Sequence, residues 1–200
     1  MSVDMSNFNA PLAINVRQQE ILQTAISIIA DEGYSCLTMR ALAKANGITL
    51  GALQYHFRTR EDLLRGMVDY IITTELRARF EKRNEGEPLE SVRSFAEFIL
   101  DETSGDDIIS DRFWPQLWAM QQVEPAVAEL LEAIYAEYID RLTVAIKAAG
   151  GKSPRIEALI LMSLLEGETL FTGQGRAWES DRRAVRDTIL SFIDERYGES

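Results

Sequence analysis

Apolar residues recur at helical spacing along most of this chain, and this periodicity limits the fold more than any other feature. In residues 17–31, for example, Leu22, Ala25 and Ile29 share one helical face with Ile26, the pattern of a helix with one buried side. Comparable stripes follow in residues 59–76, 89–101, 125–149, 153–172 and 182–197. Because no alternating strand pattern competes, the 200 residues predict an all-α fold of about nine helices.

Composition excludes several classes of protein. Cys36 is the only cysteine and His56 the only histidine, so a disulfide framework, a metal centre and a histidine-based triad all lack the residues they need. The most apolar stretch, residues 158–165, is too short to span a membrane. The first residues carry no basic start followed by an apolar run. We therefore expect a cytoplasmic protein with no cofactor and no metal.

The net charge of −11 is unevenly distributed. Beyond residue 60 lie 28 of the 32 acidic residues, whereas residues 33–60 contain four basic residues and no acid. The total argues against nucleic acid as a partner, but the local positive surface argues for it. We expect the acidic remainder to be mostly a solvated surface.

The basic segment contains two short predicted helices joined by Asn46, Gly47 and Ile48, the arrangement of a helix-turn-helix. Thr38 and Thr49 are expected to cap them. The second helix, residues 50–57, is slim at its start and then offers Gln54, whose amide both donates and accepts hydrogen bonds as adenine readout requires. The residues predicted to bind DNA are Thr38, Arg40, Thr49, Leu50, Gly51, Gln54, Tyr55, His56, Arg58 and Arg60.

The run LTMRALAKANGITLGALQYHFRTREDLL, residues 37–64, resembles the DNA-binding domain of the TetR family of bacterial repressors. The likeness covers about 45 residues from Arg17 onward. It implies a homodimer that binds a palindromic operator and is released by a small molecule. It also places Thr38, Tyr55, His56 and Arg60 at phosphate contacts, and Arg40, Thr49, Gly51 and Gln54 at base contacts. Leu50 and Gly51 replace more polar residues of some family members, so the resemblance does not identify the bases that are read.

We expect a DNA-binding domain over residues 14–60 and a ligand-binding and dimerisation domain over residues 61–200. The second half weakly resembles the family branch that contains the choline-responsive repressor of the betaine pathway. An aromatic or cationic inducer is predicted to contact Phe98, Trp114, Trp118, Tyr135, Tyr138, Glu166 and Phe171. The alternative is that these aromatic residues only fill the core, while Glu166 and Glu168 are solvated or form a salt bridge.

A dimer interface is predicted on the last two helices. Ser163 and Gly167 form a small-x-x-x-small step that permits close helix approach. The predicted interface residues are Ser163, Gly167, Ile189, Phe192 and Ile193. Packing of these helices within one chain is the alternative.

Together these features predict a ligand-responsive repressor that is not an enzyme and has no membrane partner. An activator of the same fold, or a helical ligand-binding adaptor that does not bind DNA, would share most of them. The ligand, the operator and the regulated genes are not encoded in any motif found here.

Overall fold

A computed structural model describes residues 14–71, 91–102 and 111–198. Within these ranges the chain is all-α, which confirms the predicted fold class. The described ranges contain nine α-helices: α1 (Val16–Glu32), α2 (Met39–Ala45), α3 (Leu50–His56), α4 (Arg60–Tyr70), α5 (Val92–Glu102), α6 (Trp114–Met120), α7 (Pro125–Ala148), α8 (Pro154–Thr172) and α9 (Arg182–Tyr197). The sequence also predicts a break at residues 84–88 and a polar turn at 103–107, which lie outside the described residues.

The described residues fall into two compact units. The N-terminal unit contains α1 to α4 together with residues 111–132, and the C-terminal unit contains α5, the rest of α7, α8 and α9. The predicted domains are residues 14–60 and 61–200. In the structure, α4 packs against α1 and belongs to the N-terminal unit.

Local sequence signals define the helix ends in the N-terminal unit. Asn15 and Thr59 each form a capping box, in which the cap side chain and the side chain of the third helical residue bind each other's backbone amide. Gly33 ends α1 with a φ of 90°, a conformation that favours glycine. Pro115 occupies the first turn of α6, where its missing N–H has no partner to lose.

The core of the N-terminal unit is built from one face of each helix. Its fully buried members include Ile26 on α1, Leu42 on α2, Leu53 on α3 and Met67 on α4. Burial of these side chains orients the short helices against the longer ones. The opposite faces of α2 and α3 are thereby left at the surface.

The C-terminal unit has an aromatic and aliphatic core. Tyr138 of α7 meets Phe95 and Phe98 of α5 edge to face, with ring centroids 5.7 and 6.1 Å apart. Leu161 on α8 and Ile193 on α9 are buried as well. No helix in the described ranges has the length and apolar character needed to cross a bilayer.

Candidate nucleic-acid interface

The two short helices α2 and α3 form the predicted helix-turn-helix. The hydroxyl of Thr38 accepts a 3.1 Å hydrogen bond from the amide of Ala41, and Thr49 makes the same contact with Ala52. Both threonines therefore cap their helices as the sequence predicts. Between the helices, Gly47 has a φ of 64°, so the turn uses the left-handed conformation that glycine adopts without strain.

Most of the predicted DNA-contacting side chains on α2 and α3 share the exposed side of the motif. Arg40, Thr49, Gly51 and Gln54 are exposed, whereas Leu53 between them is fully buried. A β-carbon added at Gly51 would meet no atom within 4 Å. The start of α3 is thus a thin, open edge that another molecule can approach closely. Leu50 is only partly exposed.

Tyr55 is the most exposed large side chain of α3, with 88% of its surface accessible. Its ring stands edge-on to His56, with the centroids 5.4 Å apart. His56 is half-buried and Arg58 is exposed. The Tyr55 hydroxyl near the end of α3 can donate a hydrogen bond to a nucleic-acid backbone.

Arg60 contacts three groups of its own chain. Its guanidinium donates to the carbonyl of Leu37 and lies over the Tyr34 ring, 4.8 Å from the centroid. Its Nε is also 3.9 Å from Oε1 of Glu124. The contact of Arg60 with a DNA phosphate stays a prediction.

Tyr34 and Glu124 were not identified from the sequence. The Tyr34 hydroxyl donates a hydrogen bond to Glu124 Oε1, and the Tyr34 amide donates to Gln116 Oε1 at 3.3 Å. Burial and the contact with Glu124 raise the pKa of Tyr34 above its usual value. These partners are far apart along the chain, so no local pattern could have revealed them.

The predicted ligand residues are divided between the two units. Trp114 and Trp118 belong to the N-terminal unit, and the other five belong to the C-terminal unit. Phe98 and Tyr138 are buried against each other, while Tyr135 and Glu166 are partly buried. Tyr135 forms a hydrogen bond with the Glu166 side chain. That bond only partly offsets the effect of burial, which raises the pKa of Glu166 to about 7.

Phe171 and Glu168 lie in different surroundings on α8. Phe171 is 61% exposed and its ring faces Trp178 at a centroid distance of 6.3 Å, and its role as a ligand residue stays a prediction. Its position on α8 turns it to the surface. Glu168 is buried, and its carboxylate pairs with Arg182 and Arg186.

The predicted dimer residues also separate into two groups. Ser163 and Phe192 are exposed, and a β-carbon on Gly167 would meet no atom within 4 Å. Ile189 and Ile193 are buried within the chain itself. They belong to the inward stripe of α9, and their role in a dimer interface stays a prediction.

A family model described as bacterial regulatory proteins of the tetR family matches residues 21–67. This N-terminal segment of the chain therefore belongs to the TetR family. The matched segment contains α2, α3 and the turn between them, the surface described above. Among the described residues, no group of histidine, cysteine or acidic side chains is suited to a metal ion.

Curated relatives match over part of the chain. The chain is 28% identical over 88 residues to the HTH-type transcriptional regulator AcrR of Shigella flexneri, a match covering 43% of this chain and 41% of that protein. It is 36% identical over 62 residues to the HTH-type transcriptional repressor KstR2 of Mycobacterium tuberculosis, covering 29% and 31%. The matches thus span less than half the length of these relatives. Both relatives are named as transcriptional regulators.

Solved structures match over nearly the whole chain. A Rhodococcus sp. protein assigned to the TetR family superposes with a TM-score of 0.72 at 25% identity, covering 92% of this chain and all of that one. A regulator from Saccharomonospora viridis, crystallised with choline, has a TM-score of 0.67 at 19% identity and covers 86% and 94%. This second likeness is one of fold.

Proposed function

We propose that the chain is a transcriptional repressor that binds a palindromic DNA operator as a homodimer and releases it when a small molecule binds. The observation that carries this proposal is the exposed face of α2 and α3, where Arg40, Thr49, Gln54 and Tyr55 surround the open edge at Gly51. These side chains carry hydrogen-bond donors and acceptors that can pair with the base edges and phosphates of a DNA major groove.

Recognition follows from the chemistry of this face. The helix α3 enters the major groove, where Gln54 donates to and accepts from an adenine edge and Arg40 contacts a guanine or a phosphate. The backbone amides and hydroxyls at Thr38 and Thr49 bind phosphates beside the groove. Two such helices in a dimer would lie about 34–36 Å apart, or at a related spacing, to reach successive half-sites.

DNA binding is tested by selecting duplexes from a random-sequence library with the purified chain. We expect a palindromic consensus whose affinity falls steeply with salt. The Gln54→Ala/Tyr55→Ala variant should lose the selected duplex. A matched control, Val144→Ala/Lys147→Ala, changes two exposed positions of α7 and should retain it.

Two outcomes would contradict this proposal. Selection of no sequence by the folded chain would favour an adaptor that does not bind DNA. Unchanged binding by the Gln54→Ala/Tyr55→Ala variant would remove α3 as the reading element. Repression is tested separately with a reporter whose promoter overlaps the selected site, and increased expression there would indicate an activator.

A row of exposed apolar side chains on α8 supports the homodimer. Ile156, Ile160 and Leu164 are 58%, 59% and 41% exposed, and they continue in register to Phe171. Ser163 and Gly167 lie along the same row and allow another helix to approach closely. Such a stripe is unfavourable in water and is stabilised when a second copy covers it.

The dimer is tested by sedimentation of a single variant. Ile160→Glu places a charge in the centre of the row and should produce a monomer that remains folded. Val144→Glu is the control, because Val144 is 69% exposed on α7 and outside the row. A dimer that survives Ile160→Glu would exclude this face as the interface.

The inducer is proposed to be an aromatic or cationic small molecule. The carboxyl group of Glu166, hydrogen-bonded by Tyr135, supplies a partly buried negative charge when ionised. Aromatic rings and a carboxylate together favour a quaternary ammonium group.

The ligand class is tested by thermal shift with benzyltrimethylammonium as the probe and benzoate as the anionic control. We expect stabilisation by the cation, stronger at pH 8 than at pH 6, because Glu166 ionises near pH 7. Glu166→Gln should remove the difference. Stabilisation by benzoate alone would exclude a cationic inducer.

A further inference from the structure

Arg60 is held by three groups that come from separate parts of the N-terminal unit. These groups are the Leu37 carbonyl, the Tyr34 ring and the Glu124 carboxylate, which together we call the Arg60 clamp. The Tyr34 hydroxyl donates to the same Glu124 oxygen that faces Arg60. The clamp therefore fixes the carboxylate as well as the guanidinium.

The clamp lies beside the proposed DNA face. Arg60 is the first residue of α4 and follows the exposed Arg58 by two positions. Its partner Leu37 directly precedes Thr38, the cap of α2. A guanidinium at this place is within the positive segment of residues 33–60, in which the sequence has no acid. Glu124 brings a negative charge to that segment from the turn after α6.

The ion pair between Arg60 and Glu124 is weak enough for another anion to replace Glu124. The side chains of Arg60 and Glu124 are 40% and 26% exposed, and the Nε–Oε1 separation is 3.9 Å. Partly solvated pairs of this kind contribute little to stability and are readily replaced. A DNA phosphate offers Arg60 a second anionic partner of comparable chemistry.

We propose that Glu124 competes with the DNA backbone for Arg60, so that the clamp withholds one phosphate contact and lowers operator affinity. This inference rests on the proposed DNA binding and adds a regulatory contact to it. Glu124 immediately precedes α7, and Gln116 of α6 accepts from the Tyr34 amide. A displacement of this segment relative to Tyr34 would release Arg60 to DNA.

The experiment measures affinity for the duplex selected by the wild-type chain, over a range of salt concentrations. Glu124→Gln keeps the size of the side chain and removes its charge. It should tighten binding about two- to fivefold, the range expected for one exposed ion pair. The slope of log affinity against log salt should steepen by up to about 0.9, as for one additional phosphate contact.

Arg60→Gln provides the second arm of a double-mutant cycle. It should weaken binding more in the Glu124→Gln background than in the wild type, because only there is Arg60 free to contact phosphate. Glu129→Gln is the matched control, since Glu129 is exposed on α7 and carries the same charge. This control should leave the salt slope unchanged.

Several results would overturn the proposal. Equal or weaker binding by Glu124→Gln would show that the clamp supports DNA binding or does not affect it. If Arg60→Gln weakens binding equally in both backgrounds, Glu124 does not withhold Arg60 from the DNA backbone. Melting temperatures of all variants identify any loss of folding. If the wild-type chain selects no duplex, the proposed function fails instead.

Discussion

Glu168 of α8 is fully buried, and its Oε1 accepts a 2.9 Å hydrogen bond from Nε of Arg182. Arg186 approaches the other carboxylate oxygen at 3.1 Å, and the Thr172 hydroxyl completes the cluster at 2.6 Å. Burial alone would raise the pKa of Glu168, but these partners hold it below its usual value. The cluster connects α8 to α9.

Loss of this carboxylate should destabilise the protein. Glu168→Gln removes the negative charge that pairs with two guanidinium groups, which are only 18% and 17% exposed. We expect the free energy of unfolding to fall by about 2–3 kcal/mol, measured by urea denaturation. Glu195→Gln, at an exposed position of α9, should change it by less than about 0.5 kcal/mol. Equal effects would show that the cluster contributes no stability.

Glu166 should make stability depend on pH in the opposite direction from an ordinary ion-paired carboxylate. Its folded-state pKa of about 7 exceeds the ordinary carboxyl pKa of 4.5, so the folded state binds the proton more tightly. Stability is then fully present below about pH 4.5 and decreases as the pH rises to about 7. We expect Glu166→Gln to gain about 1–3 kcal/mol over the wild type at pH 8. The exposed Glu132→Gln should show no such gain.

Two glycines of the helix-turn-helix should respond in opposite ways to the same substitution. Neither Gly47 nor Gly51 has an atom within 4 Å of an added β-carbon, but only Gly47 has a positive φ, of 64°. Gly47→Ala should cost about 1–2 kcal/mol from backbone strain. Gly51→Ala should gain about 0.5–1 kcal/mol of helix stability. Thermal unfolding compares the two, and a loss of stability in both would contradict this explanation.

Gly66 should be intolerant of any side chain. A β-carbon there would lie 2.8 Å from Cε1 of Phe57, the residue that ends α3. Gly66→Ala should therefore destabilise the protein by about 1–3 kcal/mol through overpacking. Phe57→Leu should restore part of the loss in the double variant, and additive losses would exclude the contact as the cause.

The sequence was sufficient for features that depend on neighbouring residues. Thr38 and Thr49 cap their helices as predicted, since a cap needs only a hydroxyl and an amide within three positions. Pro115 lies in the first turn of α6, the position that proline favours in a helix. The roles of the DNA-contacting, ligand and dimer residues stay predictions.

The tertiary structure decided what long-range partners each side chain meets. A stripe of apolar residues indicates which face of a helix is covered, but not whether the same chain or a second copy covers it. Ile189 and Ile193 are therefore core residues, whereas Ile160 and Phe171 are exposed. Charge has the same limitation: the sequence marks Arg60 as basic and Glu168 as acidic. Only folding brings Glu124 to the first and two arginines to the second, because ion pairs form between groups that are distant along the chain.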